Sequence, residues 1–254
     1  MSKSRLGQNF LYNRAILERI IDAADLEKND TVIEIGPGPG RLTRLLAEKA
    51  KKVIAIELDE ALFEQLRGDL IGYRNVELIQ GDALAFRYED IGAFKVVANI
   101  PYYITTPIIF RLLEARKDLK TMTLTIQKEV AERIVAAPGG KDYGVLSIMV
   151  QYRAGAELKF VIPKEEFVPV PRVDSAVVHI SVRKKPAITV IDEAVFFRVV
   201  KSSFSQRRKT LSNSLKGLRK DIREVLHHAQ IDPARRPETL SLEEFGRIAD
   251  ELSE

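Results

Sequence analysis

Between residues 13 and 24 the chain reads NRAILERIIDAA, with apolar side chains at 16, 17, 20, 21 and 24. That spacing follows the turn of an α-helix with one apolar stripe, and Asn13 stands where a capping side chain is wanted. Short apolar runs follow, TVIEI, KVIAIEL, VELIQ, FKVVAN and TMTLTIQ, and between them lie segments of helical spacing such as RLTRLLAEKA, EALFEQLRGDL, PIIFRLLEA and EVAERIVAA. Apolar strands alternating with amphipathic helices predict a parallel sheet covered on both faces. After the turn-rich PGGKDYG come a further helix, VLSIMVQYR, and two strands, ELKFVI and AVVHISV, joined by PKEEFVPVPRVD. No long crossover helix separates those strands, so antiparallel pairing at one side of the sheet is expected. From KKPAITVID onward the pattern is helical. The expected architecture is an α/β domain over residues 1–185 and a small all-helical domain over residues 186–254.

Composition narrows the chemistry more than the fold. With 254 residues, 45% of them hydrophobic, the chain can bury one large core and a small second one. It has no cysteine, which removes disulfides, thiolate metal sites and thiol nucleophiles together. Of three histidines, His227 and His228 are neighbours in a helical stretch where consecutive side chains diverge, and His179 alternates with apolar residues as on the solvent face of a strand. Neither a metal site nor a histidine triad is expected. The N-terminal MSKSRLGQNFLYN lacks the apolar core of a signal peptide, and no apolar run approaches bilayer length, so a cytoplasmic protein without a membrane partner is expected. Charge is uneven: from Arg183 to Arg223 twelve Lys and Arg face three acids, a local balance of +9 in a chain of net +4. A solvated helix face accounts for such a run, and so does a phosphate-rich partner.

The segment TVIEIGPGPGRLTRLL carries a strand through Gly36, Gly38 and Gly40 into a helix. Glycines let backbone amides approach a ligand at a helix N-terminus, where the dipole favours negative groups. Twenty-one residues beyond Gly36 the next strand ends at Glu57, a carboxylate able to accept from ribose hydroxyls. A dinucleotide fingerprint would place a third close-packing glycine at 41, which is Arg41, so a pyrophosphate is disfavoured. A nucleoside with a short charged tail fits better, and S-adenosylmethionine has that shape. Asp82, after the third strand in QGDAL, can accept from an exocyclic amine such as that of adenine.

The stretch FKVVANIPYYITTP ends a strand in Asn99, Ile100, Pro101, Tyr102 and Tyr103. An Asn-Pro turn after an apolar run needs no function to explain it. Beside a methyl donor the same residues acquire one. The N6 amine of adenine is a poor nucleophile because its lone pair is delocalised into the ring. Two acceptors, the Asn99 amide oxygen and the Ile100 carbonyl, could bind both N–H groups and localise that lone pair. Pro101 would fix the turn and Tyr102 would stack on an extruded base.

The motifs GQNFL, EIGPGPG, IELD, GDAL, NIPYYITTP, FVPVPRVDSAVV and FSQRRKTLSNSL occur in that order over nearly the whole chain. In this the sequence resembles the ribosomal RNA adenine dimethyltransferase family, most closely its bacterial small-subunit branch. The resemblance implies a class I, Rossmann-like methyltransferase fold with S-adenosylmethionine as donor. It also implies dimethylation of two adjacent adenosines in the 3′-terminal hairpin loop of small-subunit ribosomal RNA during subunit maturation. By matching motif, Asn9, Leu11, Gly36, Gly38, Glu57, Asp82 and Asn99 line the cofactor site, and Tyr102 and Phe167 flank the target adenine. Ile100 departs from the leucine common in the family, a conservative change where a backbone carbonyl does the work. Arg207, Arg208 and Lys209 stand together at a helix start and are expected to touch RNA phosphates. A monomer acting on a pre-ribosomal particle is expected. The alternatives are a large-subunit methyltransferase of the antibiotic-resistance type and a non-catalytic nucleic-acid-binding relative.

Overall fold

Asn13 opens the first helix through its side chain, which accepts the Ala15 N–H at 3.1 Å; such a cap is worth about 1 kcal/mol. The computed structural model describes residues 8–115, 117–206 and 208–253. Its helices are α1 (Arg14–Ala23), α2 (Arg41–Lys49), α3 (Glu60–Asp69), α4 (Thr105–Glu114), α5 (Lys128–Val135), α6 (Val145–Arg153), α7 (Glu193–Ser203), α8 (Leu211–Ser214), α9 (Ile222–His228) and α10 (Leu242–Ser253). The strands are β1 (Phe10–Leu11), β2 (Thr31–Ile35), β3 (Lys52–Glu57), β4 (Val76–Gln80), β5 (Phe94–Asn99), β6 (Leu119–Gln127), β7 (Ala154–Ile162), β8 (Phe167–Val168) and β9 (Ser175–Val182).

Two compact units share the chain. The first runs to Ala131 and resumes over Ala156–Val182; the second takes Glu132–Gly155 and the chain from Arg183 onward. Residues 132–155, read from sequence as part of a single domain ending near 185, thus group with the C-terminal helices.

In the first unit β4, β3, β2, β5, β6, β9 and β7 lie side by side in that order. Strands β2 to β6 run parallel and β9 pairs antiparallel with β6. The central strands are apolar throughout because both faces are covered: Val32, Ile33, Val53 and Val96 are fully buried. On one face Ile16, Leu17, Ile20 and Ile21 of α1 pack with Leu42 and Leu46 of α2. The strand order reverses between β2 and β5, and it is outside the C-terminal ends of strands at such a switch point that α/β sheets bind ligands. At the other end of β5, Lys95 is buried against Asp30 at 2.8 Å. His179, expected on a solvent face, is half-buried beside β6 with its Nδ1 2.9 Å from the Thr123 hydroxyl.

A second, two-stranded sheet was not legible in the pattern. Phe10 and Leu11 pair with Val168 and Phe167, tying the N-terminal segment to the loop between β7 and β9.

In the second unit Ile148 and Tyr152 of α6 join Phe196, Val199 and Val200 of α7 and Phe245 and Ile248 of α10 in one core. The Tyr152 ring stacks on Phe196 with centroids 4.7 Å apart, and its hydroxyl reaches Glu193 at 3.2 Å. These contacts explain why α6 belongs to this unit: its apolar face has the helical core as partner. Asp192 caps α7, accepting the N–H groups of Ala194 and Val195. No helix among the described residues is long and apolar enough to cross a membrane.

Candidate active site

The turn after β2 is built on three glycines with left-handed backbone, Gly36 at φ 66°, Gly38 at 55° and Gly40 at 71°. Side chains are strained in that region, so the turn demands glycine. Gly38 also needs it for space: a Cβ there would stand 2.7 Å from the Phe10 ring. The Gly36 N–H donates to the Ile56 carbonyl at 2.9 Å, and the Gly81 N–H to the Glu57 carbonyl at 2.9 Å. These bonds hold the ends of β2, β3 and β4 together, as a shared crevice requires.

Glu57 is 1% exposed, with Oε2 accepting the Gly38 N–H at 3.1 Å and Oε1 the Asp59 N–H at 2.9 Å. Burial raises its carboxyl above the ordinary range, and those backbone donors pull it back. The Leu58 N–H acts on the carboxyl in the same sense, and the group keeps acceptor capacity for a ligand hydroxyl. Asp82 is exposed, and its Oδ1 accepts the Leu84 N–H at 2.8 Å.

Asn99 closes β5. Its Nδ2 donates to the Asn9 carbonyl at 2.9 Å, which makes Oδ1 the outward acceptor. The Ile100 N–H is used by the Thr125 carbonyl at 3.0 Å, and the Pro101 carbonyl accepts from the Ile104 N–H at 3.1 Å. Backbone bonds on both sides of the Ile100 carbonyl thus fix its direction. The Tyr102 hydroxyl lies 2.8 Å from Ser175 Oγ, and the half-buried ring carries a raised pKa because of its burial. Asn9, Phe10, Gly36, Asn99, Ile100, Pro101 and Tyr102 line one small cavity of about 20 Å³. Leu11, Gly36 and Asn99 line a second, of about 30 Å³, on the side of Glu34.

Phe167, expected with Tyr102 to flank the target adenine, is 1% exposed and packs in the apolar cluster of Leu11, Ile20 and Val177. Its neighbour Val168 is the exposed residue of β8. Strand alternation explains the difference: adjacent side chains face opposite ways, and the pairing with Leu11 turns Phe167 inward.

Glu34 is a buried acid that the sequence pattern alone does not single out. It is 2% exposed in β2, and its Oε2 has no hydrogen-bond partner. Burial pushes its carboxyl up to about 8; the neighbouring Thr43 hydroxyl pulls the other way, and the charge of nearby Glu57 adds to the rise. The available signal was an acid at the centre of an otherwise apolar strand run, Val-Ile-Glu-Ile.

In the second unit Arg208 and Lys209 are exposed, and Arg207 lies outside the described residues. No group of three or more metal-ligating side chains occurs among the described residues.

Residues 1–254 match the family described as ribosomal RNA adenine dimethylase. The chain is 47% identical to ribosomal RNA small subunit methyltransferase A of Clostridium acetobutylicum, over 98% of this chain and 92% of that one. Against the same-named protein of Shouchella clausii it is 47% identical over 98% of this chain and 89% of the other. Among solved structures, a dimethyladenosine transferase from Plasmodium falciparum is 30% identical with a TM-score of 0.82, covering 94% of this chain and 95% of that one. The 23S rRNA methyltransferase ErmE is 30% identical with a TM-score of 0.74, covering 97% and 100%. A glycine cradle at the switch point, an amide at the end of β5 and a match over the full length agree: the chain belongs to the ribosomal RNA adenine dimethylase family, S-adenosylmethionine-dependent methyltransferases of class I fold.

Proposed function

We propose that this enzyme dimethylates the N6 amines of two adjacent adenosines in the 3′-terminal hairpin loop of small-subunit ribosomal RNA, acting as a monomer on a maturing particle. The small-subunit assignment is supported by 47% identity, over nearly the whole chain, to small-subunit methyltransferases. The observation that carries the chemistry is the Asn99 amide, held by the Asn9 carbonyl so that its acceptor end faces the cavity shared with Gly36 and Tyr102.

The residues fit the donor. Glu34, whose Oε2 is an orphaned buried acceptor, lines the cavity shared by Gly36 and Asn99, and the buried carboxyl of Glu57 accepts the Gly38 N–H. Glu57 would hold the ribose hydroxyls and Asp82 the adenine amine, with Asn9, Leu11 and Gly36 lining the site. The Phe10 ring packs over Gly38. S-adenosylmethionine, when bound, supplies an electrophilic methyl group on a sulfonium centre.

The chain's own contribution is to make the amine nucleophilic. The Asn99 Oδ1 and the Ile100 carbonyl accept the two N–H groups and keep the nitrogen lone pair out of the ring, an effect felt most in the transition state. Tyr102 offers a ring face whose tilt is set by the hydroxyl contact with Ser175. Phe167, packed with Leu11 and Val177, anchors β8 behind the Tyr102 platform in this reading. Each methylation releases one proton, which water takes from an amine made acidic by its new methyl group, so no side-chain base is required. Arg208 and Lys209, with Arg207, bind RNA phosphates in this reading.

Mass spectrometry of ribosomal RNA from cells lacking the protein tests the substrate. The expected result is loss of dimethyladenosine from two neighbouring positions of the 3′-terminal hairpin; an unchanged hairpin with a missing large-subunit modification would favour the other branch of the family.

A further inference from the structure

We propose that Arg41 positions the methyl donor by seating the carboxylate of its amino-acid tail at the start of α2. The inference rests on the donor reading above, in which Glu57 takes the ribose and Asp82 the adenine, while no residue takes that carboxylate. A carboxylate leaving water for a cleft needs charge-assisted donors in exchange.

Arg41 lines the small cavity it shares with Leu11, Gly36 and Asn99, and among the described residues there it is the one cation. It also lines an adjoining groove of about 590 Å³, which has Leu17 and Pro39 in common with that cavity. Two other arginines line the groove, and both are engaged. Arg44 donates to the Pro39 carbonyl at 3.1 Å and to Asp69 at 3.3 Å, and Arg14 pairs with Glu18 at 2.8 Å. Arg41 is exposed and forms no ion pair among the described residues. Its guanidinium rests 4.5 Å from the centroid of the Tyr12 ring, a contact weaker than a fork onto a carboxylate. Tyr12 follows directly on Leu11, so this contact parks the charge beside the donor site.

The place of that charge in the helix points to an anion. Arg41 is the first residue of α2, where no acid stands in the first turn and the Gly40 cap brings no side-chain oxygen. Unsatisfied amides and the helix dipole make that end positive, so a cation there is unfavourable by itself. A ligand carboxylate relieves the helix end and the arginine together. The planar guanidinium offers it two parallel donors, which a lysine does not. Position 41 is also where a dinucleotide site places its close-packing glycine. Arginine there gives up room for a pyrophosphate and supplies a charge suited to an amino-acid tail.

The test is calorimetry on the full-length protein with two probes, S-adenosylhomocysteine and its decarboxylated analogue, which keeps the adenosine, the sulfur and the amine. Arg41→Ala should bind S-adenosylhomocysteine about tenfold more weakly than the parent, and the analogue no more weakly. Arg41→Lys should recover part of the loss. Equal weakening toward both probes would overturn the seat, because Arg41 would then act on the shape of the site and not on the carboxylate. Parental affinity of Arg41→Ala for S-adenosylhomocysteine would overturn it as well, and leave Arg41 a surface residue stacked on Tyr12. Both of those outcomes leave the proposed function standing, since the parent binds the product. A parent that binds neither probe refutes the donor reading itself, and this inference falls with it.

Discussion

Glu34→Gln isolates the buried carboxyl beneath the glycine turn. Glu34 sits between Ile33 and Ile35 in the central strand, 2% exposed, with Oε2 unpartnered and Glu57 on the adjacent strand. Its carboxyl is pushed from the ordinary 4.5 up to about 8, so the folded protein holds a proton there that the unfolded chain releases between those values. Stability from this group is therefore full below pH 4.5, declines as pH rises and is lost above pH 8. At about 1.36 kcal/mol per pH unit, a rise from 4.5 to about 8 amounts to about 5 kcal/mol. Glutamine has nearly the same shape and does not titrate. Urea unfolding of parent and variant at intervals from pH 4 to 9 should give curves that diverge with rising pH, the variant gaining by about that amount. Titrating groups remote from Glu34 cancel in the difference, as does any constant effect of the amide; only Glu57, whose charge acts on Glu34, adds a smaller term of its own. Parallel profiles across the range would show that Glu34 ionises normally in the folded state and that its burial is relieved by a partner or water.

The other perturbations address the donor site, the base platform and the opposite end of the sheet. Glu57→Ala should weaken S-adenosylmethionine binding by about 1.5 to 3 kcal/mol in a folded protein, and calorimetry giving parental affinity would remove Glu57 from the donor site. Tyr102→Ala should weaken apparent affinity for the target adenosine by about 1 to 3 kcal/mol; Tyr102→Phe, which keeps the ring and loses only the Ser175 contact, should retain most of it. Equal losses in the two would mean that the hydroxyl, not the ring face, matters. Asp30→Ala leaves Lys95 buried without its 2.8 Å carboxylate partner and should cost about 3 to 5 kcal/mol of unfolding free energy. Transfer per folded molecule should stay at the parental level, because Lys95 and Asn99 lie near opposite ends of β5; a matching loss of transfer would argue against that separation.

The alternation of apolar strands and amphipathic helices was legible because both periodicities are local, and so were the glycines, whose left-handed turn is a property of the residue itself. Non-local pairings were hidden. The β1–β8 ribbon is two residues long on each side, and no periodicity develops in so short a run; its pairing turns Phe167 inward. The segment 132–155 reads as a continuation of the α/β pattern, and only the packing of Ile148 and Tyr152 against Phe196 groups it with the C-terminal helices. Glu34 escaped notice because pattern reading treats an acid within a strand as a surface position, whereas here both faces are covered.

The most direct test of the central claim is single-turnover methyl transfer by Asn99→Ala to small-subunit particles. S-adenosylmethionine must be saturating, because Asn99 also lies beside the donor cavity. If the Asn99 oxygen localises the amine's lone pair, the variant should bind particles as the parent does and transfer methyl roughly a hundredfold or more slowly. Transfer at the parental rate would contradict the account and leave Asn99 as the residue that ends β5 and holds the N-terminal segment through the Asn9 carbonyl.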